Sequence, residues 1–384
     1  MTVRRGGGAI GATALLVVLV IELLAWASAA WLARNDWLFV PVDPEAHARA
    51  LASRDPLLGW PRPARVGRDL DASGARRVGG AEPGPPCGAA FGDSFTFGDE
   101  VEAADAWPHR LGLRLGCPVA NFGMSGYGTD QAFLRYRDRF GEPVEFVLLA
   151  HFSADLLRNV NRYRRFFNNR NVFWKPSFVL GPDGGLELLP MPEAPPADPL
   201  HADRAEALLR HEWFAPGGPS GAVADGFPHV LALARLARRW PTRAQWSNLE
   251  LGAAYYAPDH PSGALPLTVA ILDAFAAEAR RRGQRPAVLL IPEEVHLRAA
   301  RAGAPLPTDS LARALDAAGV PRVGLVEALA ADLGERDVCA FYLRCDGGHM
   351  NRAGHEAIAR AVEAWLRGRG PGRDEGSARG SARP

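Results

Sequence analysis

The chain has 384 residues, of which 47% are hydrophobic, so it can bury a full core and form one large domain or two. Its formal net charge of +1 at pH 7 gives no strong attraction to nucleic acid, and we expect no nucleic-acid partner. Lys175 is the single lysine, whereas arginine, alanine, glycine and proline are abundant. This bias is typical of a GC-rich genome and favours a bacterial source.

The amino terminus contains an apolar run from Ala9 to Ala33 that is broken only by Glu22. A helix needs about 20 apolar residues to span a bilayer, whereas the apolar part of a signal peptide has only about 7–15. The run therefore predicts a transmembrane signal anchor at residues 9–33. Small residues around Ala27 leave a cleaved signal peptide as the alternative.

The residues that flank this run predict its orientation. Arg4 and Arg5 precede it and favour a cytoplasmic segment at residues 1–8, while Trp31 fits the aromatic belt of the opposite membrane surface. On this interpretation one helix holds the protein in the bacterial inner membrane. Everything after Arg34 then lies in the periplasm.

Four cysteines fit an oxidising compartment. The pairs Cys87–Cys117 and Cys339–Cys345 are both compatible with the sequence. Four free thiols are the alternative, because the pattern of pairing cannot be derived from spacing alone.

After the anchor, residues 34–82 are rich in Pro, Gly and Arg, which predicts a linker or collar. From residue 83 to 368 short apolar runs alternate with helical patterns, as in a parallel sheet with crossover helices. The tail at 369–384 has few apolar residues and is predicted to be disordered. The predicted strands are Gly88–Phe91, Val119–Phe122, Phe146–Phe152, Ala287–Ile291 and Arg322–Val326. The predicted helices are Ala106–Leu115, Asp130–Arg139, Leu267–Arg282, Ser310–Ala318 and Ala353–Arg367, the last capped by Asn351.

A long insertion at about residues 156–263 interrupts this alternation after the third strand. It opens with NVNRYRRFFNNRNVFWKPSF, which is dense in Asn, Arg and aromatic residues. Such a mixture suits stacking on, and hydrogen bonding to, a polar polymer such as a glycan. An ordinary subdomain whose aromatic side chains pack inward is the alternative.

Ser94 lies in the stretch FGDSFTFGDE, directly after the first predicted strand. A serine on a strand-to-helix turn has its hydroxyl at the sheet edge and amide N–H groups around it, which suits a nucleophile. It equally suits a helix N-cap. We expect Asp93 to bond backbone around the turn.

The stretch DGGHMNRAGH near the carboxyl end places Asp346 three residues before His349. At this spacing a carboxylate can orient an imidazole, which then serves as a general base toward serine. Taken alone, the pattern is common by chance. His355 lacks a second histidine four residues on, so the helix is not a zinc-protease motif, and we expect no metal and no cofactor.

Together, Phe91-Gly-Asp-Ser-Phe95, Asn121-Phe-Gly-Met-Ser-Gly126 and Asp346-Gly-Gly-His349 resemble the motifs of the SGNH (GDSL-type) hydrolase family, over about residues 83–368. The resemblance implies an α/β protein with a three-layer α/β/α, flavodoxin-like parallel sheet. It also implies a triad in which Ser94 is the nucleophile, His349 the base and Asp346 the orienting acid. The backbone amides of Ser94 and Gly126 would contribute to the oxyanion hole.

One block departs from the family pattern. Ala154 stands where the family usually has an asparagine that donates to the oxyanion. Losing such a donor costs roughly 2.7–4 kcal/mol. We expect Asn159 to replace it, since it lies about one helical turn downstream, while Asn161 would point elsewhere. His151 and Ser153 are further candidates.

The function that these features predict is an extracytoplasmic serine esterase that acts on acyl esters of a glycan or related polymer, with acetyl as the expected acyl group. Transfer of the acyl group to a sugar hydroxyl is the first alternative, because the same triad serves both reactions. A catalytically weak glycan-binding or assembly protein is the second, favoured by the missing asparagine. A small ester substrate and the membrane are the expected partners.

Overall fold

The computed structural model describes residues 6–60, 69–79, 84–244, 253–345 and 347–368. Arg4, Arg5, Asp346 and the predicted tail at 369–384 lie outside these residues. The chain divides into two compact units: the first comprises 1–53, 161–175 and 192–251, and the second comprises 54–160, 176–191 and 252–384. The predicted boundaries, with a linker at 34–82 and one domain at 83–368, do not coincide with this division.

The described residues contain the following strands and helices. The strands are β1 (Leu38–Phe39), β2 (Gly88–Gly92), β3 (Val119–Gly123), β4 (Phe146–Phe152), β5 (Ser177–Leu180), β6 (Leu186–Leu189), β7 (Val223–Ala224), β8 (Arg285–Ile291) and β9 (Arg322–Val323). The α-helices are α1 (Gly6–Arg34), α2 (Pro44–Ala52), α3 (Ser94–Phe97), α4 (Trp107–Leu115), α5 (Thr129–Arg139), α6 (Ser153–Asn159), α7 (Ala205–Leu209), α8 (His229–Ala244), α9 (Ala264–Arg281), α10 (Glu294–Arg301), α11 (Asp309–Ala317), α12 (Leu325–Leu333) and α13 (Arg352–Leu366).

The second unit is built on a five-stranded parallel sheet in the order β3-β2-β4-β8-β9. In terms of the chain order of these strands this is 2-1-3-4-5, the flavodoxin-like order, which confirms the predicted fold class. The strands are nearly continuous apolar runs because helices cover both faces of the sheet.

Alternate residues of each strand face opposite helical layers. Ala90 of β2 lies in a core with side chains of α4, α12 and α13. The next residue, Phe91, packs instead on Tyr136 of α5, which in turn packs edge-on against Phe275 of α9. The unit therefore has the predicted three layers. The carboxyl ends of β2, β3, β4 and β8 lie at one edge, where chemistry is usual in such sheets.

Most predicted elements have bounds within a few residues of the observed ones, and Asn351 caps α13 as predicted, accepting hydrogen bonds from the amides of Ala353 at 2.9 Å and Gly354 at 3.1 Å. The prediction of a strand to residue 326 was wrong: β9 ends at Val323, and α12 begins at Leu325. A short apolar run does not distinguish a buried strand from the start of a buried helix. Of the alternatives that the sequence left open for its cysteines, the structure contains the two disulfides Cys87–Cys117 and Cys339–Cys345.

The first unit combines α1 with most of the predicted insertion. Ala29 of α1 packs with Ala232 and Leu236 of α8, and β1 pairs with β7. Aromatic residues from the start of the insertion pack on one another inside this unit; Tyr163 and Trp174, for example, stack at 4.5 Å. These side chains therefore form an ordinary subdomain core, the alternative that the sequence left open.

Candidate active site

Ser94 follows the carboxyl end of β2 as the first residue of α3. The turn between them requires Gly92, because a Cβ there would lie 2.3 Å from Oγ1 of Thr96. Asp93 caps α3 by accepting a hydrogen bond from the amide of Phe95 at 2.9 Å, in agreement with the backbone-bonding role predicted for it. Ser94 is thus fixed at the sheet edge, with only 7% of its surface exposed.

His349 connects two groups that are distant from it in the chain. Its Nε2 lies 2.9 Å from Oγ of Ser94, and its Nδ1 lies 2.7 Å from Oε2 of Glu100. A neutral imidazole donates through one ring nitrogen and accepts through the other. With the proton on Nδ1, the ring donates to Glu100 and accepts at Nε2 the hydrogen bond of the Ser94 hydroxyl. General-base activation of a serine needs this arrangement.

The loop that carries His349 is fixed at both ends. The disulfide between Cys339 and Cys345 closes it on one side, and the amide of Leu343 donates to the carbonyl of His349 at 2.9 Å. On the other side Asn351 caps α13. The backbone of His349 is therefore fixed on both sides by these bonds.

Glu100 lies on the loop that follows α3 and has a left-handed backbone, with φ of 67°. A non-glycine residue in this region costs energy and is found where the surrounding structure enforces it. Here the guanidinium of Arg76 donates to the carbonyls of Gly98 at 2.9 Å and Val101 at 2.8 Å. The hydrogen bond from His349 lowers the pKa of the Glu100 carboxyl below its ordinary value, so Glu100 is the ionised partner of the imidazole.

Sequence reasoning missed Glu100. It assigned the orienting role to Asp346. That residue lies outside the described residues, so the site is described without its carboxyl group. The sequence offered one weak signal, the acidic pair Asp99-Glu100 after Gly98. The left-handed backbone that directs Glu100 is not readable from a residue pattern.

The loop after β3 lies beside the nucleophile turn. Oγ of Ser125 donates to Asp99 at 2.7 Å, and the amide of Asp99 donates to the carbonyl of Ser94 at 3.0 Å. Gly126 has a φ of 78°, which favours glycine, and the ring nitrogen of Trp60 donates to the carbonyl of Ser125 at 2.9 Å. The peptide between Ser125 and Gly126 is thus held in place, as an amide that serves an oxyanion must be.

Asn159 does not fit the role that the sequence assigned to it. Its Nδ2 donates to Oγ1 of Thr268 at 2.9 Å, its Oδ1 accepts from the amide of Asp130 at 3.2 Å, and only 1% of its surface is exposed. Its amide group therefore ties α6 to α5 and α9. Asn161 is also committed, since its Nδ2 donates to Glu212 at 2.9 Å and to the carbonyl of Tyr163 at 3.0 Å.

A buried ionic cluster of Arg158, Asp93 and Asp155 adjoins the turn that carries Ser94. One nitrogen of Arg158 lies 3.0 Å from Asp93 and 2.7 Å from Asp155, and it donates to the carbonyl of Tyr127 at 2.7 Å. Arg158 thereby joins the nucleophile turn, the loop after β3 and α6. Burial raises the pKa of Asp93, and it raises the pKa of Asp155 further above its ordinary value, while Arg158 opposes both shifts.

The two further candidates lie at the end of β4 and the start of α6. Nδ1 of His151 lies 2.7 Å from Oγ1 of Thr129, and burial lowers the pKa of His151 to about 3, so the ring is neutral. Oγ of Ser153 donates to the carboxylate of Glu293. Burial raises the pKa of that carboxyl. His151 is therefore a packing residue with a satisfied ring, and Ser153 is bonded to an acid instead of a base.

No family model and no curated protein matches this chain. Several solved structures resemble it. One is a G-D-S-L family lipolytic protein from Desulfitobacterium hafniense DCB-2, with 10% identity, coverage of 72% of this chain and 97% of that chain, and a TM-score of 0.34. An alpha/beta hydrolase from the metagenome of Lake Arreo, Spain, has 16% identity, coverage of 75% and 97%, and a TM-score of 0.37. An acetylxylan esterase from Geobacillus stearothermophilus has 13% identity, coverage of 75% and 95%, and a TM-score of 0.37. Similarity at this level supports no inference about function, which therefore rests on the geometry of the site.

Proposed function

We propose that the protein is a serine esterase in which Ser94 is the nucleophile, His349 the general base and Glu100 the acid that orients the base. The observation that supports it most directly is the imidazole of His349, hydrogen-bonded to Ser94 Oγ at 2.9 Å and to Glu100 Oε2 at 2.7 Å. Ser94 also lies at the carboxyl edge of the central parallel sheet, where the neighbouring amides can stabilise negative charge.

The reaction follows from these contacts. As Oγ of Ser94 attacks the ester carbonyl carbon, its proton passes to Nε2 of His349, and the carboxylate of Glu100 stabilises the imidazolium that forms. The amides of Ser94 and Gly126 hold the negative charge on the carbonyl oxygen. The proton on Nε2 then passes to the leaving alcohol. Water then gives a proton to Nε2 as its oxygen attacks the acyl carbon. The bond from that carbon to Oγ of Ser94 breaks, Oγ takes the proton back from Nε2, and the free acid leaves.

The proposed compartment is the periplasm, with α1 as the membrane anchor. Residues Gly11–Arg34 of α1 form a helix of 24 residues that is long and apolar enough to cross a membrane, and most of its surface is exposed. Two disulfides fit an oxidising compartment. We propose that the substrates of this membrane-anchored periplasmic enzyme are acyl esters of a glycan, with acetyl as the acyl group.

The test uses the full chain in detergent, because α1 contributes Ala25 and Ala29 to a buried core and its removal would expose that core. Ester turnover on short-chain aryl esters and acetylated polysaccharides is measured for wild type, Ser94→Ala and Ser153→Ala. We expect Ser94→Ala to abolish turnover and fluorophosphonate labelling. Ser153→Ala, at the serine that directly follows β4, should keep the labelling.

Labelling that persists in Ser94→Ala would disprove the nucleophile assignment. A wild-type chain that neither labels nor turns over any ester would instead support the binding or assembly alternative. Adding a sugar acceptor to the same assay distinguishes hydrolysis from acyl transfer, because transfer produces an acylated sugar at the expense of free acid.

A further inference from the structure

Glu22 is the single charged residue between Gly11 and Ala33, and its carboxylate is not free. It accepts hydrogen bonds from the backbone amides of His229 and, at 3.3 Å, Val230, the first residues of α8. Amides at a helix start have no partner within the helix, and the helix dipole favours a negative charge there. Glu22 therefore fixes the start of α8 beside the middle of α1.

From this point α1 and α8 run side by side in the same direction. Ala25 and Ala29, which follow Glu22 on one face of α1, are at most 5% exposed. Ala29 packs in one core with Ala232 and Leu236, which follow the start of α8. Small residues spaced four apart allow two helices to approach closely, as they do in membranes.

The length of α1 places this contact inside the bilayer if α1 spans it. From Gly6, the first residue of α1, to Glu22 the helix rises about 24 Å, at about 1.5 Å per residue, which is short of the hydrocarbon thickness of about 30 Å. A span that begins at Gly6 ends near Trp26, and one that begins at Gly11 ends near Trp31. Glu22 then lies about 6–14 Å below the membrane boundary.

The side chains at the start of α8 suit that depth. Phe227, Val230 and Leu231 are 81%, 40% and 49% exposed, an unusual density of exposed apolar side chains in so short a segment. Glu22 holds this segment beside α1, whose own apolar side chains between Leu15 and Leu24 are exposed as well. The polar side chain of His229 is paired with Asp225 at 2.8 Å. Exposed arginines on α8 begin at Arg235, about 9 Å further along the helix, at the level of the lipid headgroups.

We propose that the segment Phe227–Leu231 enters the apolar part of the bilayer beside α1, where it contacts lipid acyl chains. This inference rests on the proposed membrane anchor. The protein then has two contacts with the membrane, a helix that crosses it and a segment that dips into one leaflet.

The test places a fluorescent label at a single introduced thiol in the full chain, since the four native cysteines are paired in disulfides. Three variants are compared in phosphatidylcholine vesicles that contain lipids with a nitroxide quencher on the acyl chain. Phe227→Cys tests the proposal, and Trp26→Cys reports insertion of α1. Leu113→Cys is the matched control, because Leu113 is an apolar residue of α4 that is 62% exposed.

We expect the label at position 227 to be quenched within about twofold of the label at position 26, with little quenching at position 113. Quenching at 26 without quenching at 227 would overturn the dipping segment and leave the anchor intact. Absence of quenching at both positions would overturn the anchor, and with it this inference. The far-UV circular dichroism of each labelled variant confirms that it is folded, and ester turnover is a separate measure of the proposed activity.

Discussion

Oε2 of Glu100 lies 2.7 Å from Nδ1 of His349, although the two residues are 249 positions apart in the chain. The acid partner of the imidazole therefore comes from the segment that carries the nucleophile, six residues after Ser94. The guanidinium of Arg76 fixes this segment by donating to the carbonyls of Gly98 and Val101. On the other side, the Cys339–Cys345 disulfide and the helix cap Asn351 fix the loop of His349.

Glu100→Gln should lower kcat by about 10²–10³, less than the roughly 10⁴ seen when a fully buried triad acid is replaced, because Glu100 is 43% exposed and water screens its charge. Glu102→Gln in the same loop is the control and should leave kcat unchanged.

Asp346→Asn measured beside Glu100→Gln decides between the two candidate acids. If Glu100 orients the base, Asp346→Asn should have the smaller effect on kcat. A silent Glu100→Gln combined with a strong loss in Asp346→Asn would show that the sequence-based assignment of Asp346 is right and that the contact with Glu100 has no role in catalysis.

Asn159→Ala should destabilise the fold and leave chemistry nearly unchanged. The substitution removes the buried hydrogen bonds of Asn159 with the amide of Asp130 and the hydroxyl of Thr268, which costs about 1–3 kcal/mol. The midpoint of urea unfolding measures this loss, and kcat per folded enzyme should change less than about twofold. Asn161→Ala, at a second buried asparagine, should behave alike. A loss of about 10²–10³ in kcat for Asn159→Ala alone would restore its predicted oxyanion role.

The two disulfides should differ in what their removal affects. Chain-entropy arguments assign about 4 kcal/mol to the Cys87–Cys117 bond and about 2 kcal/mol to Cys339–Cys345, because the sequence separations are 30 and 6. Replacing both Cys87 and Cys117 by serine should therefore lower Tm more than replacing both Cys339 and Cys345. Replacing both Cys339 and Cys345 by serine should lower kcat more than the other double substitution does, because the loop that carries His349 is then no longer closed by a covalent bond. Equal effects on kcat would contradict the positioning role of the loop disulfide.

His355 should make the protein sensitive to acid. Its Nδ1 accepts a hydrogen bond from the amide of Trp107 at 3.2 Å, and burial lowers its pKa from 6.5 to about 3. Below pH 6.5 the unfolded chain binds a proton that the folded chain does not, so stability is full above pH 6.5 and falls toward pH 3. One such group contributes about 1.4 kcal/mol per pH unit in this window.

His355→Asn keeps an acceptor for Trp107 and removes the titration, so the unfolding free energy of the variant should fall less steeply between pH 6.5 and 4 than that of wild type. Urea unfolding at several pH values measures both slopes. Equal slopes would mean that His355 does not titrate on unfolding as its burial implies.

Local signals in the sequence were enough to predict the parallel sheet, Ser94 on the turn after its first strand and His349 just before the last helix, whereas they left the pairing of the cysteines open. These features depend on local signals: apolar runs of strand length, glycine at a sharp turn, and a capping asparagine before α13. Each of these signals involves only a few neighbouring residues, so it can be recognised in a single sequence.

The contacts between side chains that are distant in the sequence depend on the tertiary fold. It committed Asn159 to Thr268 and Asp130, brought Glu100 to His349, and set Arg158 between two carboxylates. A hydrogen bond depends on distances of about 3 Å between groups far apart in the chain, and on backbone conformations such as that of Glu100 which the surrounding fold enforces. The periodicity of apolar residues predicts neither these distances nor these backbone conformations. It indicates which face of a helix or strand is buried, but not which atoms lie opposite that face.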